Sequence, residues 1–173
     1  MKSKDKNLEN KYVLLSHTFD PIYDINSKIL ILGTFPSVKS RETNFYYGNP
    51  QNRFWKVISF LTNSDLPNTI EEKRELLIKN KIAIWDVVKE CEIIGSDDKS
   101  IRNIVLVDLS EIINTVNLTN IYANGNKAKE LYNKFLKHKT NKEIITLPST
   151  SPANARYSFD ALIEKWKEIL VDL

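Results

Sequence analysis

Residues Lys28–Trp55 read KILILGTFPSVKSRETNFYYGNPQNRFW. The first four apolar residues, Ile29 to Leu32, are β-branched or leucine and stop at Gly33. A run that short, ended by glycine, predicts a strand buried on both faces. Thr34-Phe35-Pro36-Ser37 then drops the apolar pattern without becoming plain solvated loop, since it holds a proline and two hydroxyls. In open α/β folds ligands bind beyond the carboxyl ends of strands, which is where this segment falls. Next, Phe45, Tyr46 and Tyr47 crowd beside Gly48, Asn49 and Pro50. Aromatics in a loop either fold back onto the core or offer a surface on which a flat base stacks. Asn52 to Thr62 follows as a helix, with Phe54, Val57, Ile58 and Leu61 at helical spacing.

Outward from this stretch, strands alternate with helices. A helix is expected over 69–79, with Thr69 as cap and Glu71 and Glu72 in its first turn. Ile82–Val88 (IAIWDVV) reads as a second buried strand and Cys91–Lys99 as a polar loop. A helix over 109–116 leads to a third strand, Asn120–Ala123, which ends in Asn124-Gly125. A helix over 127–137, a fourth strand over 143–147, the loop PSTSPANAR and an amphipathic helix over 158–170 complete the chain. This alternation predicts a three-layer α/β/α sandwich on a mainly parallel four-stranded sheet. GTFPS, Asp86, Asn124-Gly125 and PSTSPAN then all fall at carboxyl ends of strands and converge on one sheet edge. The four glycines, Gly33, Gly48, Gly95 and Gly125, read as loop positions beside these segments.

The chain has 173 residues, 42% of them apolar, enough for one domain with a real core. Residues 1–12 are charged and predict a flexible tail, leaving a single domain over 13–173. No apolar run approaches the roughly 18–20 residues that span a bilayer, and the N-terminus has no apolar stretch of the secretory kind. One cysteine, Cys91, excludes a disulfide framework and a multi-cysteine metal site, and two histidines, His17 and His138, are too few for a three-histidine centre. A metal-free, cofactor-free cytoplasmic protein is expected. Net charge is +3, compatible with a polyanionic partner without demanding one.

GTFPS followed by YYGNPQNRFW, then IWDVVKEC and GSDD, then LPSTSPANA resembles the uracil-DNA glycosylase superfamily, and within it the hypoxanthine-DNA (deoxyinosine) glycosylases. The NPxNRFWK core is also similar to the mismatch-specific uracil-DNA glycosylases, and SHTFDPIYD fits the deoxyinosine family. The resemblance implies cleavage of the N-glycosidic bond of a flipped, deaminated base in double-stranded DNA, by a monomer. Gly33–Ser37 matches the superfamily's first motif, making Gly33, Thr34, Phe35, Tyr47 and Asp86 the expected base-binding set, with Tyr47 as the stacking aromatic. Where relatives carry an Asn or Asp that positions the attacking water, this chain has Phe35. The water therefore falls to an amide further along, Asn52 first and Asn49 second. Ser149–Ala155 matches the second motif, so Ser37, Ser149, Thr150, Ser151, Pro152, Ala153, Asn154 and Arg156 are expected at the DNA. Two other readings stay open: a mismatch-specific uracil or thymine glycosylase, and a non-catalytic DNA-binding module of the same fold.

The chemistry asks for the same parts. Glycosidic cleavage runs through an oxocarbenium-like state, so a site must hold a water, stabilise the sugar's charge and accept charge on the departing base. The nucleotide must also leave the stack. Short hydroxyls and free backbone N–H groups ahead of a helix suit phosphate, and equally serve as caps and turns. For Asp86 the structural reading is a buried carboxylate bonded to loop backbone, and for His17 a structural hydrogen bond.

Overall fold

Four short apolar runs become the strands of one parallel sheet. In a computed structural model, which describes residues 11–173, these are β2 (Ile29–Gly33), β3 (Ile82–Asp86), β6 (Asn120–Asn124) and β7 (Ile144–Leu147), in the order β3-β2-β6-β7. β2 lies inside the sheet, with Ile29 facing Ile82 on one side and Asn120 on the other. Its apolar residues are fully buried and alternate between two cores. Leu30 and Leu32 point into the first, with Ala83, Ile121, Ala123 and residues of α4 (Ser110–Thr115) and α5 (Asn126–Phe135). Ile29 and Ile31 point into the second, with Phe54, Leu77, Tyr122, Leu162 and Trp166. That second layer contains α2 (Phe54–Leu61), α3 (Ile70–Lys79) and α7 (Phe159–Trp166). Each buried Leu or Ile stabilises the fold by about 1.5–3 kcal/mol, so a strand covered on both faces is the strongest organiser of the chain.

Local chemistry sets the helix ends. Thr69 Oγ1 accepts from Glu72 N–H while the Glu72 carboxylate accepts from Thr69 N–H, a reciprocal cap for α3. Ser158 caps α7 through Ala161 N–H. The remaining helices are α1 (Val38–Thr43) and α6 (Lys137–Thr140).

A second sheet departs from the sequence expectation. β1 (Val13–Ser16), β4 (Val88–Ile93) and β5 (Arg102–Leu106) form an antiparallel sheet in the order β1-β4-β5. The predicted strand 82–88 therefore divides. Its chain leaves the parallel sheet after Asp86, with Val87 N–H donating to Gly33 O at 2.9 Å and Val88 N–H to Thr34 O at 3.0 Å. The expected polar loop 91–99 begins as strand, with Cys91 and Ile93 buried in the first core and Glu90 and Glu92 turned outward. Two register shifts against β5 blur the two-residue alternation, which hides the strand from a reading by composition. Of the expected tail 1–12, residues 1–10 lie outside the described residues; Tyr12 is exposed, with the Arg102 guanidinium 3.5 Å from its ring centre. At the β3 edge, Ile22 bonds both ways with Ile84, which covers that edge.

Candidate active site

The strand order places a switch point between β2 and β6, because β2 connects onward to β3 on one side and β6 to β7 on the other. Beyond the carboxyl ends of these strands lies a cleft of about 650 Å³. Gly33 to Ser37, Tyr47, Asn49, Asn52, Asp86, Asn124 and Ser149 to Asn154 all line it. The four sequence segments expected at one edge are thus brought together. Of the site residues expected from sequence, only the exposed Arg156 stands outside the cleft wall.

Gly33 closes β2 opposite Asp86 of β3. A Cβ at Gly33 would overlap Asp86 Oδ1 and stand 3.3 Å from Tyr47 Oη, so glycine is required here by close approach. Asp86 is buried, and its Oδ2 lies 2.8 Å from His17 Nε2, with the two side chains only 7% and 4% exposed. The structural reading of both residues is thereby met, with His17 rather than loop backbone as the partner of Asp86. Phe35 is buried and meets His17 edge-on at 6.3 Å. Ser37 caps α1 by accepting from Ser40 N–H, and Ser40 Oγ accepts from Gly48 N–H at 3.0 Å, which ties the first motif to the aromatic loop.

The three loop aromatics divide. Phe45 and Tyr46 fold back onto the core at 2% exposure each, and Tyr46 Oη donates to Asp20 O. Tyr46 still borders the cleft, and Tyr47, less deeply buried, lines it too. Its ring stacks on Phe54 at 3.9 Å with 20° between planes, and its backbone sits at φ +50°, a conformation that costs a non-glycine residue about 1–3 kcal/mol. Among the described residues its buried hydroxyl has no partner of good geometry, with Asn124 beside it. Burial, reinforced by the Asp86 carboxylate, pushes that phenol far above its ordinary range. Phe54 and Trp55 hold Tyr47 in place: Trp55 Nε1 donates to Tyr46 O, and Phe54 meets Trp166 edge-on.

Both candidate amides face the cleft, and both use their carbonyls locally. Asn49 Oδ1 accepts from Gln51 N–H, and Asn52 Oδ1 accepts at 2.9 Å from Phe54 N–H, the first N–H of α2, from one position before the N-cap residue Arg53, whose own side chain makes no cap bond. The cap fixes the Asn52 side chain against the helix end while its Nδ2 is left for other bonding. Capping and facing the cleft are therefore not exclusive.

The loop after β7 is held from below. Thr150 is fully buried, with its N–H donating to Asn124 Oδ1 and its Oγ1 accepting from Asn124 Nδ2, both at 3.0 Å. Its side chain therefore orients Asn124. Gly125, at φ +101°, carries the chain from β6 into α5 with its Cβ direction 3.2 Å from Ser149. Arg53 donates to four carbonyls of this loop: Thr150 O, Ser151 O at 2.9 Å, Asn154 O at 3.0 Å and Tyr157 O. Trp166 Nε1 anchors Pro148 O. One expectation is corrected by the bonding. The N–H groups of residues 150, 151, 153 and 154 are all spent, on Asn124, Ser149 Oγ, Ser151 Oγ and Ser151 O. The hydroxyls of Ser149 and Ser151 act as acceptors in these bonds, so their own protons are what the loop offers an anion. Pro152 and Ala153 are exposed at its tip.

Four residues outside the expected set belong to this architecture. Asn124 ends β6 in the cleft; Asn124-Gly125 signalled it by place, but asparagine is too frequent here to stand out by type. His17 and Arg53 act on other site residues across 69 and about 100 positions, contacts that only folding brings together. Asp98, in the loop between β4 and β5, lines the cleft, and burial pushes its carboxyl up to about 6. Among the described residues no group of three His, Cys, Asp or Glu side chains is placed to hold a metal ion.

Comparison with known proteins agrees with this architecture. Residues 21–171 match the model of the uracil DNA glycosylase superfamily. A hypoxanthine DNA glycosylase of Methanosarcina acetivorans is 37% identical over 147 residues, 84% of this chain and 92% of that protein. One from Methanosarcina barkeri is 35% identical over 114 residues, 65% of this chain and 72% of that protein. The solution NMR structure of a uracil DNA glycosylase candidate from Methanosarcina acetivorans superposes with a TM-score of 0.75 at 36% identity, covering 87% of this chain and 93% of that one. With the matched model spanning nearly the whole sandwich, this chain belongs to the uracil DNA glycosylase superfamily.

Proposed function

We propose that the protein is a monofunctional DNA glycosylase that hydrolyses the N-glycosidic bond of deoxyinosine in duplex DNA and releases hypoxanthine. The observation that carries the reading is the cleft at the switch point, which gathers a stacking aromatic, two amides and a hydroxyl-bearing loop, in a chain whose relatives are named hypoxanthine DNA glycosylases. Tyr47, backed by Phe54, offers a face to the flipped base and offsets part of the unstacking cost, about 1–3 kcal/mol per stacked base. Gly33, Thr34, Phe35 and Asp86 form the floor beneath it. Asn52 orients the attacking water, with Asn49 next to it. An amide is a poor base, which suffices when bond breaking runs ahead of attack. Ser37, Ser149 and Ser151 donate hydroxyl protons to phosphate, Pro152 and Ala153 enter the duplex, Asn154 stiffens the loop through Ser149 O, and Arg156 reaches the backbone from outside the cleft.

No lysine lines the cleft apart from Lys99, on the loop rim and exposed. Schiff-base strand cleavage needs a desolvated amine at the sugar, so the product is an abasic site in an intact strand. No helix among the described residues is long and apolar enough to cross a membrane, and a cytoplasmic location fits a DNA substrate.

Purified protein incubated in EDTA with duplexes carrying inosine, uracil, xanthine or ethenoadenine tests this reading. The expected result is abasic sites fastest from inosine, unnicked strands and no adduct trapped by borohydride. Faster release of uracil would make it a mismatch-type uracil glycosylase, and binding without any release a DNA-binding module.

A further inference from the structure

Asp98 has no part in the scheme so far. It opens the short turn Asp98–Ser100 between β4 and β5, in the loop that reaches over the first motif. That loop is pinned: Val38 N–H donates to Ser96 Oγ at 2.9 Å, Ile94 N–H to Ser100 Oγ at 2.9 Å, and Arg41 Nη2 to Gly95 O at 3.3 Å. The second sheet, besides filling the first core with Val88, Cys91 and Ile93, thereby delivers a carboxyl to the cleft wall beside Thr34. The cleft then holds two carboxyls in unlike settings. Asp86 is bonded to His17, whereas no ion pair engages Asp98 among the described residues. The charged and polar groups around Asp98 are Thr34 after β2, Asp86 of β3, Asp97 beside it and Lys127 of α5. Desolvation dominates, Asp86 and Asp97 add to it, and Thr34 and Lys127 oppose it, leaving the carboxyl at about 6. A carboxyl that desolvation keeps protonated to higher pH can serve as a general acid.

Resting on the deoxyinosine reading, we infer that Asp98 is the acid that protonates N7 of the departing purine. A purine leaves through N9 with the electron pair of the C1′–N9 bond. N7 shares the five-membered ring with N9, so a proton there neutralises the charge as it develops, and pyrimidines have no equivalent atom. In the step, the Asp98 carboxyl proton passes to N7, the C1′–N9 bond breaks and hypoxanthine departs as its neutral N7–H form. Water held at Asn52 bonds to C1′ and sheds one proton to solvent, from which the Asp98 carboxylate is recharged. No net proton is consumed. Asp98 would thus adapt to purines a cleft whose first motif lacks the usual water-positioning residue.

Single-turnover release at saturating enzyme, over pH 5–9, tests this on duplexes carrying deoxyinosine. The parent rate is expected to fall about tenfold per pH unit along a limb beginning at or above pH 6. Asp98→Asn, which keeps size and hydrogen bonding, is expected to be at least ~30-fold slower at pH 6 and flat across the range. The parent is also expected to be at least ~30-fold slower on 7-deaza-deoxyinosine, which has C–H at the protonated position. An Asp98→Asn enzyme that keeps the parent's limb, or a parent that releases the 7-deaza base at close to the deoxyinosine rate, overturns the inference. A parent that releases nothing from deoxyinosine at any pH fails earlier, at the substrate reading, and the inference falls with it.

Discussion

Asn52 shows how one side chain can serve both local structure and chemistry. Its Oδ1 caps α2 through Phe54 N–H, and the residue lines the cleft. Losing the cap costs about 1 kcal/mol of stability. Losing a group that orients the water costs about 2.7 kcal/mol of transition-state stabilisation, or ~100-fold in rate. Asn52→Ala is therefore expected to release hypoxanthine at least ~100-fold more slowly while duplex affinity barely changes, since affinity comes mainly from phosphate contacts. Asn52→Asp keeps the cap and can still orient water. Asn52→Ser keeps the cap but loses reach. Parent-like release by the serine variant would reduce Asn52 to a cap and move the water to Asn49.

At the scale of elements, the start of α2 and the loop after β7 are one unit. Arg53 spans them with bonds to four backbone carbonyls, which no other side chain type can satisfy at once. Arg53→Lys keeps the charge, but an ammonium has three donors and no planar fork. It is expected to lower stability by roughly 1–3 kcal/mol, read as a lower denaturant midpoint at unchanged slope, and to weaken duplex binding because the tip at Pro152 and Ala153 is no longer fixed. A lysine variant with the parent's midpoint and affinity would show that Asn124–Thr150 and Trp166–Pro148 alone hold the loop.

For the whole molecule, the desolvated Asp98 makes stability depend on pH. Its carboxyl sits near 6 in the fold against 3.8 for an ordinary aspartate. The folded state thus holds the proton more tightly, and stability present below pH ~4 is lost as pH rises through 6. The full difference is at most roughly 3 kcal/mol, and less for a partly solvated group. Asp98→Asn is expected to melt higher than the parent at pH 8, with the gain disappearing towards pH 4. Equal melting at both values would mean that the carboxyl is solvated as freely in the fold as outside it. A gain in stability alongside a loss of rate is the pattern of a strained functional group.

The sequence by itself determined the parallel sheet and the edge at which its motifs meet. Ile29–Leu32 and Ile82–Ile84 are apolar without a break because both their faces are covered, a local signal that survives translation into structure. Gly33 and the PSTSPAN loop were legible because unusual residues stand directly after such runs. The antiparallel sheet was not, because β1 is short and mostly exposed, β4 carries charges and shifts register against β5, and β1 meets β4 across 74 to 80 positions. The fates of Phe45, Tyr46 and Tyr47 were not legible either, since three adjacent aromatics carry the same local signal and only the packing of Phe54, Trp55 and Asp20 separates core from cleft. The tertiary structure likewise decided the pairing of His17 with Asp86, the four-carbonyl reach of Arg53, the spent N–H groups of the loop after β7 and the delivery of Asp98. Each is a contact between residues far apart in sequence, whose energy exists only once the two sheets are assembled.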